Sequence, residues 1–103
     1  MKAADVTRWL ISPRVRSGYA EDGALLLDVN KGLSYRLNVL GAQVWVTIES
    51  SPHGITLEGI VDALETRFKV PREQLESDTT DWLDKLKQLG LLQKGNSQVP
   101  DSG

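Results

Sequence analysis

Ala24-Leu25-Leu26-Leu27-Asp28-Val29-Asn30-Lys31-Gly32-Leu33-Ser34-Tyr35-Arg36-Leu37 is a pair of apolar runs on either side of a turn signal, and the rest of the chain is read outward from it. Asn30 and Gly32 tolerate the positive φ that a tight reversal needs, so the two runs form a β-hairpin. The second run alternates cleanly, with Leu33, Tyr35 and Leu37 on one face and Ser34 and Arg36 on the other. The first is expected to bury one face through Leu25, Leu27 and Val29. Upstream, Pro13 suits the start of a strand, and Val15, Ser17 and Tyr19 alternate with Arg14, Arg16 and Gly18 before the turn signal Glu21-Asp22-Gly23. The result is a three-stranded meander with Leu33 to Leu37 at its edge.

Past Leu37 the period changes. Leu37, Gly41, Val44, Trp45 and Ile48 recur at helical spacing, and Asn38 is placed to cap the new helix. After the loop Ser50-Ser51-Pro52-His53-Gly54, Thr56 caps a second helix with the stripe Leu57, Ile60, Val61, Leu64 and Phe68, and with Glu58, Asp62 and Glu65 on the opposite face. Pro71 suits the first turn of a third helix, which carries Leu75, Trp82, Leu83, Leu86 and Leu89 and stops at Gly90. Its charges follow the helix dipole, with Glu73, Glu76 and Asp78 early and Lys85 and Lys87 late. Strands first and helices after make an α+β domain, winged-helix-like, in which a three-stranded antiparallel sheet precedes a three-helix bundle. The domain is expected to span residues 13–94. Residues 1–12 are an N-terminal extension in which Trp9-Leu10-Ile11 has no assigned place, and residues 95–103, polar with Pro100, read as a disordered tail.

Composition narrows the function. A chain of 103 residues, 40% apolar and 25% charged, builds one core. The absence of cysteine removes disulfides, thiolate metal sites and a cysteine nucleophile, and suits a cytoplasmic setting. His53 is the single histidine, so a multi-histidine metal centre is excluded and a solvated loop imidazole is expected. Apolar runs fall far short of the roughly 18 residues of a membrane span. Met1-Lys2-Ala3-Ala4-Asp5 lacks the apolar stretch of a signal peptide. Asp78 and Asp81 share a helix face, where two carboxylates either share a cation or face water. Gly54 and Gly59 follow no strand and precede no Lys-Ser/Thr pair, so they make no phosphate loop. With no catalytic cluster and no cofactor motif, the expectation is a binding protein that is not an enzyme.

Two ligands compete. A winged-helix module reading nucleic acid needs a basic recognition helix, but Arg72 to Leu89 holds three cations against five carboxylates. A sheet patch of Arg14, Arg16, Lys31 and Arg36 with Tyr35 is the remaining route to phosphates. The alternative is a peptide. An edge strand presents unpaired N–H and C=O groups that an extended segment completes, and a groove beside it supplies specificity. Trp82 and Leu86 on the third helix share its core stripe and also suit the wall of such a groove, where Lys85 would meet an acidic ligand residue. The same edge can pair with a second copy of the chain.

The order of these signals resembles the PqqD family. The residues that carry the likeness are Ala24-Leu25-Leu26-Leu27-Asp28, Gly32, Tyr35-Arg36-Leu37-Asn38, Gly41 and Val44-Trp45, then Thr56-Leu57, Ile60-Val61 and Leu64, and finally Asp78, Trp82-Leu83, Leu86 and Gly90-Leu91-Leu92. The likeness runs from about Pro13 to Gln93. It implies a recognition element of ribosomally synthesised and post-translationally modified peptides (RiPPs), which binds the leader of a precursor peptide as an added strand. By position the binding residues would be Leu33, Ser34, Tyr35, Arg36 and Leu37, with Asp78, Trp82, Lys85 and Leu86 on the facing helix. It also implies a non-catalytic adaptor whose partner is a modifying enzyme, such as a radical SAM protein in pyrroloquinoline quinone biosynthesis or a leader peptidase in lasso peptide biosynthesis.

Overall fold

The computed structural model describes residues 7–96. Its elements run β1 (Thr7–Ile11), β2 (Val15–Ala20), β3 (Gly23–Asp28), β4 (Leu33–Leu37), α1 (Val39–Glu49), α2 (Leu57–Glu65), α3 (Arg72–Gln88) and β5 (Leu92–Asn96). This is an α+β fold with the expected meander, β2-β3-β4, and the expected three helices. It differs from the expectation in carrying a second sheet, the antiparallel pair β1-β5, so the strands are not a single three-stranded sheet. Trp9-Leu10-Ile11 is therefore strand, set opposite Lys94, Gln93 and Leu92. Trp9 lies in the core, and its N–H and C=O also bond to Ile55 at 2.8 and 3.2 Å. Gly95 and Asn96, read from sequence as the start of the tail, close β5, while residues 97–103 and Met1 to Asp5 lie outside the described residues.

The face of β3 is the reverse of the expected one. Ala24, Leu26 and Asp28 point inward, while Leu25, Leu27 and Val29 are 50%, 41% and 49% exposed. Three consecutive leucines are apolar on both faces, so parity is decided by the register, which sets Leu26 opposite Tyr35 and Ala24 opposite Leu37. The cost of burying Asp28 is offset by the partners of its carboxylate. Arg14 Nε reaches Oδ1 at 3.2 Å, and the Asn30 and Lys31 N–H groups donate to the same atom at 3.1 and 3.2 Å. Burial pushes this carboxyl up, but the Lys31 N–H, the Arg14 guanidinium and the Asn30 N–H together hold it below its ordinary value. The same side chain thus shapes the β3–β4 reversal, where Gly32 takes φ +69°.

The helices begin and end largely where their caps predict. Asn38 Oδ1 accepts from the Gly41 N–H at 2.8 Å, and Thr56 Oγ1 accepts from that of Gly59 at 3.1 Å. α1 buries Val44, Trp45 and Ile48, with the Trp45 indole N–H donating to Ser17 Oγ at 2.7 Å. α2 stops at Glu65, so Phe68 packs from the segment after it and not from the helical stripe. Arg72 opens α3 and pairs with Asp62 and Glu65 of α2 at 2.9 and 2.8 Å, which ties the two helices together. At the other end Gly90, at φ +79°, reverses the chain; its N–H bonds to Lys87 O and that of Leu91 to Leu86 O, the paired bonds of a Schellman cap. Ser12 Oγ and Arg14 Nη2 then both donate to Gly90 O, at 2.9 and 2.8 Å. The β1–β2 connection is thereby fastened to the end of α3. Among the described residues no helix is long and apolar enough to cross a membrane.

Candidate functional site

β4 hydrogen-bonds to β3 on one side only and is an edge of its sheet. Along it Leu33, Ser34 and Arg36 are exposed, Tyr35 is half-buried and Leu37 belongs to the core. The chain passes from this edge through Asn38 into α1. There a cleft of about 340 Å³ opens between the start of α1 and the middle of α3, lined by Asn38, Leu40, Asp78, Asp81, Trp82 and Lys85. The four α3 residues are spaced at i, i+3, i+4 and i+7, which is one helical face. Beside it runs the buried stripe of Leu75, Thr79, Leu83 and Leu86.

Each wall of the cleft has a local cause. Trp82 is half-buried, and its ring lies flat enough on α1 that a Cβ at Gly41 would come within 2.7 Å of it. Glycine inside a helix costs about 1 kcal/mol against alanine, and here it leaves the seat for the indole. Lys85 Nζ stands 5.3 Å from the centre of the same ring, a cation–π arrangement at an exposed site. Asp78 Oδ1 accepts from Gln74 Nε2 at 3.0 Å, which orients one carboxylate at the cleft. The site is therefore an aromatic plate bordered by two carboxylates and one ammonium, next to a strand with an open edge.

The structure places Asp78, Trp82 and Lys85 on one cleft, and adds Asn38 and Leu40, whose capping and packing roles concealed their position there. Leu86 is corrected: it is wholly buried and backs the helix from the core side, because it sits one turn beyond Leu83 on the inward stripe. Residues 33–37 flank the cleft without lining it. The cationic sheet patch loses two of its members and keeps Arg16 and Arg36. Arg14 is spent on Asp28 and Gly90, and Tyr35 faces inward while Arg16 and Arg36 face outward. His53 is exposed in its loop, and among the described residues no group of three or more His, Cys, Asp or Glu is gathered to hold a metal.

The family model described as Coenzyme PQQ synthesis protein D (PqqD) matches residues 23–92, from the first residue of β3 to the start of β5. The chain belongs to the PqqD family. Solved structures with the same fold include TbiB1 in complex with the TbiA(beta) leader peptide, at 28% identity and a TM-score of 0.72, covering 88% of this chain and 99% of that one. A lasso peptide synthetase B1 complexed with its leader peptide gives a TM-score of 0.70 at 20% identity, over 84% of this chain and 98% of that one. The heterocyclase TruD gives 0.61 at 22% identity, over 91% of this PqqD-family chain and 12% of the much longer enzyme. No curated protein matches the sequence.

Proposed function

We propose that this PqqD-family protein is a non-catalytic adaptor that binds the leader of a ribosomally synthesised precursor peptide and presents it to a modifying or processing enzyme. The observation that carries the reading is the open edge of β4 running toward the Trp82 cleft. An extended peptide added along Leu33 to Leu37 gains main-chain hydrogen bonds whatever its sequence, and side chains reaching the plate of Trp82, between Asp78 and Lys85, add selectivity. Leu86 supports that wall from behind. TbiB1, a chain of the same fold covered over nearly its whole length, forms a complex with a leader peptide, which supports leader binding here.

Catalytic residues would lie in the partner, of radical SAM or leader peptidase type, in the cytoplasm. Holding the leader raises the local concentration of the attached core peptide at that partner, which accelerates a reaction this chain does not perform. Nucleic acid is disfavoured by charge: α3 carries three cations against five carboxylates, and Arg72 is already engaged by Asp62 and Glu65.

Calorimetric titration with the leader of a precursor encoded beside the gene tests the proposal, with random duplex DNA as control. Saturable binding on the order of nanomolar to micromolar Kd is expected for the peptide and none for DNA. Trp82→Ala should weaken peptide binding about tenfold, the range of one interface residue worth more than 1 kcal/mol, while Glu58→Ala on the exposed face of α2 changes nothing. Folded Trp82→Ala protein with wild-type affinity would sink the groove. Sedimentation of the free protein checks the competing use of the β4 edge, pairing with a second copy.

A further inference from the structure

The outward face of the β2-β3-β4 sheet is apolar down its middle and cationic on both flanks. Leu25, Leu27 and Val29 follow one another along β3 and just past its end, all substantially exposed. The register sets Leu27 between Arg16 and Ser34, and Leu25 between Gly18 and Arg36. Gly18 offers no side chain, and a Cβ built on it would meet nothing within 4 Å. A cleft of about 570 Å³ opens there, with Gly18, Leu25 and Arg36 in its wall and Asp22, in the β2–β3 turn, as its acid. The outward-facing strand residues include no carboxylate, and among the described residues neither Arg16 nor Arg36 is ion-paired.

We infer that this face docks the enzyme to which the peptide is handed, through a surface segment bearing an apolar side chain for the Gly18 cleft and carboxylates for Arg16 and Arg36. The inference rests on the leader-binding reading and deepens it. Charge selects the occupant. Two copies of this chain apposed about a two-fold axis would confront guanidinium with guanidinium and supply no strand carboxylate to either. A phosphate backbone would satisfy the arginines and leave the leucine stripe in water, whereas an apolar segment with acidic flanks satisfies both. Position agrees. Ser34 and Arg36 are residues of β4, so the face adjoins the strand edge proposed for the leader, and a protein docked on it stands beside the bound peptide with the edge still free.

Gly18→Leu fills the cleft, and Arg16→Glu reverses one flank; neither residue belongs to the leader groove. The probe is the modifying enzyme encoded beside this gene, titrated by calorimetry against wild type, Arg16→Glu and the double variant, with the leader titrated in parallel. The double variant should lose at least tenfold in enzyme affinity and stay within twofold for the leader, with a smaller loss of the same kind for Arg16→Glu alone. Trp82→Ala should show the opposite pattern. Unchanged enzyme affinity in the double variant overturns the inference. A tenfold loss of leader affinity does so too, since the face would then belong to the peptide site. A wild-type dimer broken by the double variant would make the face a contact between copies and equally overturn it. The enzyme titration needs no peptide, so failure of the wild type to bind leader would sink the adaptor reading without altering the docking result.

Discussion

Asp28 and Thr79 are both buried polar residues, and they differ in whether their partners are present. Asp28 is held as a carboxylate by Arg14 and two backbone N–H groups, so its pKa in the folded state lies below the unfolded one. Its stabilisation is then complete above the ordinary carboxylate value, about 4, and is lost as pH falls through the lower folded value. Asp28→Asn should lower Tm at pH 7 and flatten the acid limb of a Tm–pH profile below about pH 4; an unaltered limb would exclude Asp28 as its source. Thr79 Oγ1 is buried with no hydrogen-bond partner. Thr79→Val removes that unmet hydroxyl while keeping the branched shape, and should raise stability by about 1–3 kcal/mol in denaturant titration. Gly41→Ala should do the reverse. Its methyl would press on the Trp82 ring at about 2.7 Å and cost on the order of 1–3 kcal/mol while displacing the aromatic plate, so leader affinity should fall with it.

Among the elements, α3 was legible in outline and ambiguous in detail. Its capping glycine, its dipole-ordered charges and its apolar spacing are all local, and each appears in the structure where the sequence implies. Gly90→Ala, forced into φ +79°, should cost about 1 kcal/mol in the same denaturant titration and loosen the Ser12 and Arg14 bonds to Gly90 O. Sequence spacing put Trp82 and Leu86 on one stripe, yet Leu86 faces the core and Trp82 lies at its margin on Gly41. Four positions along a helix are 400° of rotation, so the pair shares a face only to within about 40°, and the neighbouring helix decides which member is covered. β3 was misread for a related reason. Periodicity assigns a face by contrast, and Leu25-Leu26-Leu27 offers none.

At the scale of the molecule, the termini of the described chain are joined by β1 and β5, whose register sets Thr7 opposite Asn96. Leu92-Gln93-Lys94-Gly95-Asn96 has little intrinsic strand character and pairs because β1 is brought beside it by the Gly90 reversal and by Ile55. Trp9 packs there on the core, with Lys94 Nζ 5.8 Å from its ring centre. Trp9→Ala should cost roughly 3–5 kcal/mol, the range for large aromatic truncations in a core. Thermal denaturation would read the loss, and leader affinity of the protein that remains folded should be unchanged because β4 and α3 lie elsewhere.

Local chemistry in the sequence determined the β2-β3-β4 meander, the three capped helices, the Gly90 stop, the edge position of β4 and the likeness to the PqqD family, because turns, caps and periodicities act over a few residues. The pairing of β1 with β5, the inward face of β3, the burial of Leu86 behind Trp82 and the diversion of Arg14 from the surface to Asp28 were decided only by tertiary structure. Each of those depends on a partner supplied from elsewhere in the fold: a strand at the other end of the chain, a register, a neighbouring helix, a buried carboxylate. A one-dimensional pattern carries no information about which of its apolar or charged residues that partner will meet.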